Sequence, residues 1–317
     1  MNQTESPFGY RTTAQEVVAT TDLTDRCVLV TGGYSGVGLE TVKALAYAGA
    51  EVIIAGRNLE AAMQAAETIN EELTTALVSA YALDLADLNS VNSFAGHCAD
   101  LHPKVDMLIA NAAVMACPFS HTKDGFEQQF GTNHLGHFAL IEGLLPALRK
   151  AQGARIVCLS STGHFRSPVV FDDIQFENRD YDPWAGYGQS KTANSLTAVG
   201  LQAELADDGI EAFAVHPGGI MTNLQRHMST EEIVQRGWVD EAGNINERFK
   251  TIEQGASTTV WAATAPELAG RGGRYLEDCG EAVVRAEPAA DFTGVMQYAV
   301  DPANAEQLLS VSRSLLA

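Results

Sequence analysis

A short apolar run, Cys27–Thr31, leads into Gly32-Gly33-Tyr34-Ser35-Gly36-Val37-Gly38-Leu39-Glu40, and a helical pattern follows at once. Glycine suits such a strand-to-helix turn because a Cβ atom would hold a pyrophosphate away from the backbone. The first N–H groups of the helix would then face the negative charge of the phosphates. Tight turns also collect glycines for their own reasons, so the stretch alone is a moderate sign of dinucleotide binding. Its position after the first strand of an α/β series favours that function.

Downstream of this turn, short β-branched apolar runs alternate with longer stretches of helical period. That alternation is typical of βαβ units and predicts one α/β domain, residues 25–317, with a doubly wound parallel sheet. The predicted strands are Cys27–Thr31, Glu51–Ala55, Ala76–Ala82, Asp106–Ala110, Ala154–Leu159 and Ile210–His216. The predicted helices include Leu39–Ala48, Leu59–Glu72, Leu88–Ala99, Gly125–Leu145 and Gly188–Ala206.

Two segments fall outside the alternation. Residues 1–24 precede the first strand and are expected to form an arm on the surface. Residues 218–250 form a polar, helix-prone insertion after the sixth strand, where a ligand of an open α/β sheet would sit, so we expect a lid. A packed surface helix pair is the alternative. In a lid, Met221, Leu224 and Met228 would face the ligand, and Gln225, Arg226 and Glu231 would face water. Candidates for an apolar pocket wall are His164, Phe165, Trp184, Met221 and Trp238.

The composition excludes several classes of function. The 317 residues are 46% hydrophobic and 19% charged, which is enough apolar mass for a folded globular core. Forty acidic against twenty basic side chains give a net charge of −20, which repels nucleic-acid phosphates and anionic lipid headgroups. We therefore expect no nucleic-acid partner, and any phosphate site must use local backbone donors and a well-placed arginine.

The cysteines indicate a reducing compartment. Cys27, Cys98, Cys117, Cys158 and Cys279 are odd in number and show neither C-x-x-C nor the Cys/His spacing of a metal site. The N-terminal residues are polar, and nowhere do about 18 uncharged apolar residues follow one another. We therefore expect a cytoplasmic protein with no bound metal and no membrane span.

Seven landmarks follow one another along the chain. They are the G-x-x-x-G-x-G spacing of Gly32, Gly36 and Gly38, then Asp84-Leu85, Asn111-Ala112-Ala113, Asn133, Ser160-Ser161, the Tyr187-x-x-x-Lys191 pair, and Pro217-Gly218 with Thr222. Together they resemble the short-chain dehydrogenase/reductase family. Within that family, Asn133-His134-Leu135-Gly136-His137-Phe138 and Gly273-Arg274-Tyr275-Leu276 are similar to retinol dehydrogenases and WW-domain-containing oxidoreductases.

The resemblance implies a Rossmann fold, a nicotinamide cofactor, and hydride transfer to or from a bulky lipophilic secondary alcohol, ketone or aldehyde. It implies four catalytic residues, namely Tyr187, Lys191, Ser161 and Asn133. The cofactor site that it implies contains Gly32, Tyr34, Ser35, Gly36, Val37, Gly38, Arg57, Asn58, Asp84, Leu85, Asn111, Ala112, Ala113, Pro217, Gly218 and Thr222. Members of the family commonly form homo-oligomers.

Acid–base chemistry supports the roles of the catalytic residues. Tyr187 must lose a proton in alcohol oxidation, and a phenol with an unperturbed pKa of about 10 is a weak base. Lys191 lies one helical turn later, where its cation would favour phenolate. Ser161 would orient the substrate oxygen, and Asn133 would help to hold a water between Lys191 and solvent. Ser160 stays an alternative to Ser161, since adjacent residues at a strand end point in different directions.

The end of the second predicted strand favours NADP(H) over NAD(H). An acidic residue there would bind a ribose 2′-hydroxyl, but no acid follows Glu51 until Glu60. Arg57 instead offers a planar fork that suits a 2′-phosphate. Two other functions are considered. A sugar-nucleotide epimerase or dehydratase usually shows T-G-x-x-G-x-x-G, and a non-catalytic nucleotide sensor has no need of the four catalytic residues.

Overall fold

The computed structural model of the chain describes residues 6–73 and 77–317. Within these residues, eight strands form one central sheet and two short strands pair outside it. The sheet strands are β1 (Cys27–Thr31), β2 (Glu51–Gly56), β3 (Leu77–Ala82), β4 (Met107–Ala110), β5 (Arg155–Leu159), β6 (Glu211–His216), β7 (Tyr275–Glu277) and β8 (Gly280–Glu281). The outer pair is β9 (Val284–Arg285) and β10 (Val295–Met296).

The order of the strands in the sheet is β3-β2-β1-β4-β5-β6-β7-β8. Strands β1 to β7 run parallel, and β8 turns back antiparallel to β7. Strands β2 and β3 follow on one side of β1, and β4 and the later strands on its other side, so the strand order changes direction between β1 and β4. Open α/β sheets bind ligands at such a switch point. The predicted doubly wound Rossmann sheet is confirmed.

The six predicted strands agree with β1 to β6 to within one residue at each end, although Ala76 lies outside the described residues. Strand β7 was not predicted, because a strand of three residues is too short to show a period. Its backbone pairs with β6, for example between Tyr275 and Ala214, so β7 lies beside β6 and widens the sheet by one strand.

Helices cover both faces of the sheet. They are α1 (Ala14–Val18), α2 (Gly36–Tyr47), α3 (Leu59–Glu72), α4 (Leu88–Leu101), α5 (Gln128–Phe130), α6 (Gly136–Lys150), α7 (Pro183–Leu205), α8 (Thr230–Gln235), α9 (Ile252–Gly255), α10 (Ser257–Thr264) and α11 (Pro302–Leu316). The predicted helix Gly125–Leu145 is divided, because a π-helical turn, Gly131–Leu135, separates α5 from α6. Helix α7 begins five residues before the predicted start, with Asp182 as its N-cap and Pro183 at its first position.

Each face of the sheet packs a separate hydrophobic cluster, because alternate residues of a strand point to opposite faces. Leu29 of β1 joins a cluster that contains Leu140 of α6, whereas its neighbour Val28 joins a cluster that contains Trp261 of α10. Burial on both faces makes the strands a rigid support for the residues that follow their carboxyl ends.

The segment before β1 contacts both the core and the 218–250 segment. Ala14 and Val18 of α1 are buried in the same cluster as Trp261. Arg11 donates hydrogen bonds to the carbonyl oxygens of Phe249, at 3.0 Å, and Glu247, at 2.6 Å. The division of the chain at residue 24 stays a prediction.

The 218–250 segment is less helical than its sequence suggests. It contains a 3-10 turn, Asn223–His227, and the six-residue helix α8. The expectation that Gln225 faces water is wrong. Gln225 is buried, and its side chain donates to the Ile220 carbonyl oxygen at 2.9 Å and accepts from the Thr222 N–H at 2.8 Å. It is therefore needed to close the local turn.

The described residues also bear on compartment and membrane. All five cysteines are buried and carry free thiols. No helix in the described part of the chain combines the length and the hydrophobicity that a bilayer crossing requires. The cytoplasmic location stays a prediction.

Candidate active site

A cavity of about 1230 Å³ opens at the carboxyl ends of the central strands, at the switch point between β1 and β4. Eighteen of the twenty residues predicted for the catalytic and cofactor sites line it. They are Gly32, Tyr34, Ser35, Gly36, Val37, Gly38, Arg57, Asp84, Leu85, Asn111, Ala112, Ala113, Ser161, Tyr187, Lys191, Pro217, Gly218 and Thr222. Asn58 and Asn133 are not part of its wall.

The glycine-rich turn has the shape of an anion cradle. Helix α2 begins at Gly36, whose φ of +53° a residue with a side chain rarely adopts. A Cβ at Gly38 would lie 2.5 Å from the Gly32 carbonyl oxygen, so the turn closes only around glycine. Ser35 provides no side-chain cap, which leaves the first N–H groups of α2 available to a phosphate. The residues present therefore fit a dinucleotide.

The end of β2 contributes a cation to the cavity wall. Arg57 is exposed and has no carboxylate within salt-bridge distance among the described residues. The Tyr34 ring packs against Gly56 so closely that a Cβ there would lie 2.3 Å from Tyr34 Cε1. Asn58 lies outside the cavity because it is the N-cap of α3, where its Oδ1 accepts from the Ala61 N–H at 3.1 Å. This placement gives no support to a cofactor role for Asn58.

Tyr187 and Ser161 face each other on the cavity wall. Tyr187 lies on α7 and is 3% exposed. Burial raises the pKa of Tyr187 to about 12, and a hydrogen bond with the Ser161 side chain lowers it in part. The phenol is therefore protonated near pH 7. Gly163 lies over the ring, since a Cβ there would lie 2.6 Å from Tyr187 Cε1.

The two adjacent serines have different surroundings. The Ser160 hydroxyl donates to the Lys191 carbonyl oxygen at 2.9 Å and accepts from the Ser195 hydroxyl at 2.8 Å, so it belongs to the packing of α7 on β5. Among the described residues, the Ser161 hydroxyl oxygen accepts from the Gly163 N–H at 3.0 Å and lies near Tyr187, with no bond to α7 of the kind that Ser160 makes. This geometry favours Ser161 as the residue that meets a substrate oxygen.

Lys191 lies in the floor of the cavity and is 3% exposed. Its Nζ donates to the Leu159 carbonyl oxygen at 2.9 Å. Burial lowers the pKa of Lys191 to about 7, so the side chain can gain or lose its proton near neutral pH.

Asn133 lies in the π-helical turn behind the cavity wall. Its Oδ1 accepts from the Val114 N–H at 2.8 Å, and its Nδ2 donates to the Val114 carbonyl oxygen and to the Ser190 hydroxyl, each at 2.9 Å. Single π-helical turns inside α-helices are frequent at functional sites. The side chain of Asn133 thus holds the loop after β4 against α7.

Aromatic side chains form the wall above Tyr187. Trp184 contacts Tyr187 edge to face at 6.3 Å between ring centroids, and it contacts Trp238 of the 218–250 segment at 6.1 Å. The indole N–H of Trp184 donates to Glu232 of α8 at 2.9 Å. The guanidinium of Arg236 stacks over Trp184 at 4.0 Å. These contacts hold the 218–250 segment against α7 beside Tyr187.

Three of the five residues predicted for the apolar pocket wall line the cavity, and two do not. Phe165 lines the cavity, as Trp184 and Trp238 do, but Met221 does not. His164 is also outside, because it is buried and its Nε2 accepts from the Met296 N–H at 3.1 Å. Sequence reasoning missed Tyr10, Met115, Phe249 and the groups at 277–278 and 290–293, all of which line the cavity. Recognising β7 would have pointed to Glu277 and Asp278, since they end that strand at the same edge.

Comparisons with known proteins show which family the chain resembles. The sequence profile of the short chain dehydrogenase family matches residues 26–233. A probable oxidoreductase of Streptomyces lividans is 47% identical over 90% of this chain and 96% of its own length. The WW domain-containing oxidoreductase of Pongo abelii is 36% identical over 94% of this chain and 72% of its own length.

One solved structure is similar along nearly the whole chain. It is an uncharacterised protein from Mycobacterium paratuberculosis, 33% identical, with a TM-score of 0.71 over 96% of this chain and 97% of the other. The likeness therefore includes the segments on both sides of the region that the family profile matches.

Proposed function

Because the chain belongs to the short-chain dehydrogenase family, whose members are oxidoreductases with a nicotinamide cofactor, we propose that it is an NADP(H)-dependent enzyme. Its substrates are bulky lipophilic secondary alcohols and the corresponding ketones, or aldehydes. The observation that carries the proposal is that Tyr187, Ser161 and Lys191 line one cavity together with the glycine-rich turn.

Tyr187 acts as the acid in carbonyl reduction. Its raised pKa keeps the phenol protonated, which is the form that donates a proton to a carbonyl oxygen. The Ser161 hydroxyl donates a second hydrogen bond to the same oxygen and fixes its position. The chemistry that a bound nicotinamide supplies is hydride transfer. In alcohol oxidation the same phenol must be deprotonated first, so oxidation is favoured by higher pH.

Lys191 and Asn133 support the tyrosine. Lys191 titrates near neutral pH and can return a proton to Tyr187 after each turnover. Asn133 keeps the loop that contains Val114 against α7. It helps to hold a water between Lys191 and solvent. Both residues thus serve proton supply and do not contact the reacting carbon.

The residues that would hold the dinucleotide are the glycine-rich turn for the pyrophosphate and Arg57 for the ribose 2′-phosphate. Arg57 supports NADP(H) because its guanidinium has no internal carboxylate to satisfy among the described residues. A protein with a net charge of −20 needs such a local cation to bind a 2′-phosphate.

The aromatic wall supports a bulky apolar substrate. Trp184, Trp238 and Phe249 line the cavity beside Tyr187, and Arg236 is paired with Glu232, so its charge is not left for an anionic substrate. Large aromatic surfaces favour flat, apolar partners. A small, strongly polar substrate would leave this wall without contacts.

An NADPH consumption screen tests the proposal, with aromatic, terpenoid and steroid-like carbonyls and with NADH in parallel. Consumption with bulky ketones and NADPH supports it. Binding of NADPH without consumption would indicate the nucleotide sensor. Turnover of a nucleotide sugar without net consumption of the cofactor would indicate the epimerase.

A further inference from the structure

The buried imidazole of His137, one helical turn after Asn133, connects two parts of the site. Its Nδ1 lies 2.9 Å from the Asn133 carbonyl oxygen, and its Nε2 lies 2.8 Å from the Thr31 hydroxyl oxygen. A carbonyl oxygen only accepts, so Nδ1 carries the proton and donates to Asn133. Burial lowers the pKa of His137 to about 4, so near pH 7 the ring is neutral and its Nε2 accepts from Thr31.

At the first end, Thr31 precedes the glycine-rich turn. The Thr31 hydroxyl donates a hydrogen bond to His137, and its oxygen accepts hydrogen bonds from the backbone N–H groups of Asn111, at 2.9 Å, and Ala112, at 3.0 Å. The alternative acceptor for the Thr31 proton, the Ile109 carbonyl oxygen, is farther away at 3.4 Å. Asn111 and Ala112 line the cavity, so His137 orients the hydroxyl on which the turn after β4 depends.

At the second end, the Asn133 carbonyl oxygen accepts from His137 Nδ1 within the π-helical turn. The side chain of Asn133 is bonded to Val114 and Ser190, so these two partners and His137 together fix both the side chain and the backbone of Asn133. Lys191 is close enough for its charge to lower the pKa of His137 further. His137 therefore fixes the Asn133 carbonyl in the turn behind the cavity wall.

We propose that His137 is a positioning residue that holds the Asn133 carbonyl and the Thr31 hydroxyl at one spacing, and so aligns the dinucleotide turn with the Tyr187–Lys191 pair. The proposal rests on the oxidoreductase function given above. It assigns to one imidazole two separable effects, one on dinucleotide binding through Thr31 and one on proton supply through Asn133.

Nitrogen-15 NMR of labelled histidine in the protein without cofactor tests the arrangement directly. The expected result is a neutral His137 ring protonated at Nδ1 at pH 7, assigned by the signal that is lost in His137→Gln. A ring protonated at Nε2, or a charged ring, would overturn the proposal.

Substitutions separate the two ends. His137→Asn keeps a donor near the Nδ1 position and loses the acceptor for Thr31, so the Kd for NADPH should rise about tenfold with kcat within threefold of wild type. His137→Gln keeps an acceptor near the Nε2 position, so kcat should fall about tenfold with Kd within threefold. Thr31→Val should raise the Kd for NADPH as His137→Asn does. Combining the two substitutions should raise that Kd little further, because both remove the same hydrogen bond.

His134 gives a matched control. It is equally buried three residues earlier, and its ring bonds to Ser312 at 2.7 Å and Thr197 at 3.2 Å, away from the cavity. His134→Phe should lower the Tm without changing Kd or kcat. If His137→Asn and His137→Gln do only the same, the role is structural and the proposal is wrong. Failure of the wild type to consume NADPH with any carbonyl would overturn the oxidoreductase function alone, since Kd and the NMR signal need no turnover.

Discussion

The Nζ atom of Lys191 lies 5.7 Å from the centroid of the Tyr187 ring, and its hydrogen bond goes to the carbonyl oxygen of Leu159. Sequence spacing placed the two side chains on one helical face, as they are, but also suggested that the lysine cation lowers the phenol pKa. Burial dominates instead, because it raises the pKa of Tyr187 and lowers that of Lys191. Both shifts favour the proton on the phenol, which suits carbonyl reduction.

Tyr187→Phe is expected to reduce kcat for carbonyl reduction by at least about 100-fold, which is the usual contribution of a general acid. The Kd for NADPH should stay within threefold, because the phenol acts on the substrate oxygen. Lys191→Ala should impair both quantities, since it also removes the bond to Leu159 at the end of β5. Single-turnover kinetics and calorimetry measure the two effects. Substantial activity in Tyr187→Phe would exclude Tyr187 as the acid.

Buried histidines are expected to make the fold less stable as the pH falls from about 6.5 to 5. Burial lowers the pKa values of His134 and His216 to about 3 and those of His137 and His164 to about 4. The unfolded chain binds protons on these four rings below pH about 6.5 and the folded chain does not, so unfolding takes up about four protons. Burial raises the pKa of Glu277 to about 7, and this group opposes them, because unfolding releases its proton.

The net uptake by these five groups is about three protons, or roughly 4 kcal/mol of unfolding free energy per pH unit. Urea denaturation at several pH values between 5 and 7 measures this slope. His134→Gln should lower it by about one proton, since glutamine does not titrate. An unchanged slope in that variant would mean that His134 is protonated in the folded chain.

Arg57→Ala is expected to raise the Kd for NADPH about 100-fold and the Kd for NADH less than threefold, since a charge-assisted bidentate contact is worth a few kcal/mol. Arg149→Ala is the matched control, because Arg149 is also exposed but pairs with Asp208 and is not part of the cavity wall. Isothermal titration with both dinucleotides measures the difference. A wild type that binds NADH more tightly would contradict the cofactor assignment.

The sheet could be predicted because β-branched runs such as Cys27–Thr31 are long enough to show their period, and the glycine-rich turn marks the switch point. Motif order likewise placed Tyr187 and Ser161 in one cavity. What sequence could not give were contacts between distant segments. The hydroxyl of Ser160 turns toward α7, and Tyr10 reaches the cavity from the N-terminal segment, for reasons of packing that no local pattern shows.

Trp238→Ala is expected to lower kcat/KM for a polycyclic ketone about tenfold relative to a small aliphatic ketone, because it removes an aromatic wall beside Trp184. Ile245→Ala is the control, since Ile245 belongs to the same segment and is 56% exposed. Melting temperatures and kcat/KM for both ketones decide the role of the 218–250 segment. Unchanged relative rates with a lowered Tm would show that Trp238 only packs.

Gly38→Ala is expected to open the glycine-rich turn. The added Cβ would lie 2.5 Å from both the Gly32 carbonyl oxygen and Asn111 Nδ2, and neither can move without breaking the turn, because Asn111 Nδ2 also donates to the Thr31 carbonyl oxygen. The Kd for NADPH should therefore rise more than tenfold and the Tm should fall.

The matched control for Gly38→Ala is Gly96→Ala in α4, where a Cβ would meet no atom within 4 Å. Alanine is the better helix former, so this variant should gain about 0.5–1 kcal/mol of stability with NADPH binding unchanged. Thermal unfolding and NADPH titration of the two variants separate the space that the turn requires from the general cost of replacing a helical glycine. Equal Tm shifts in both variants would mean that the close packing at Gly38 does not explain the glycine.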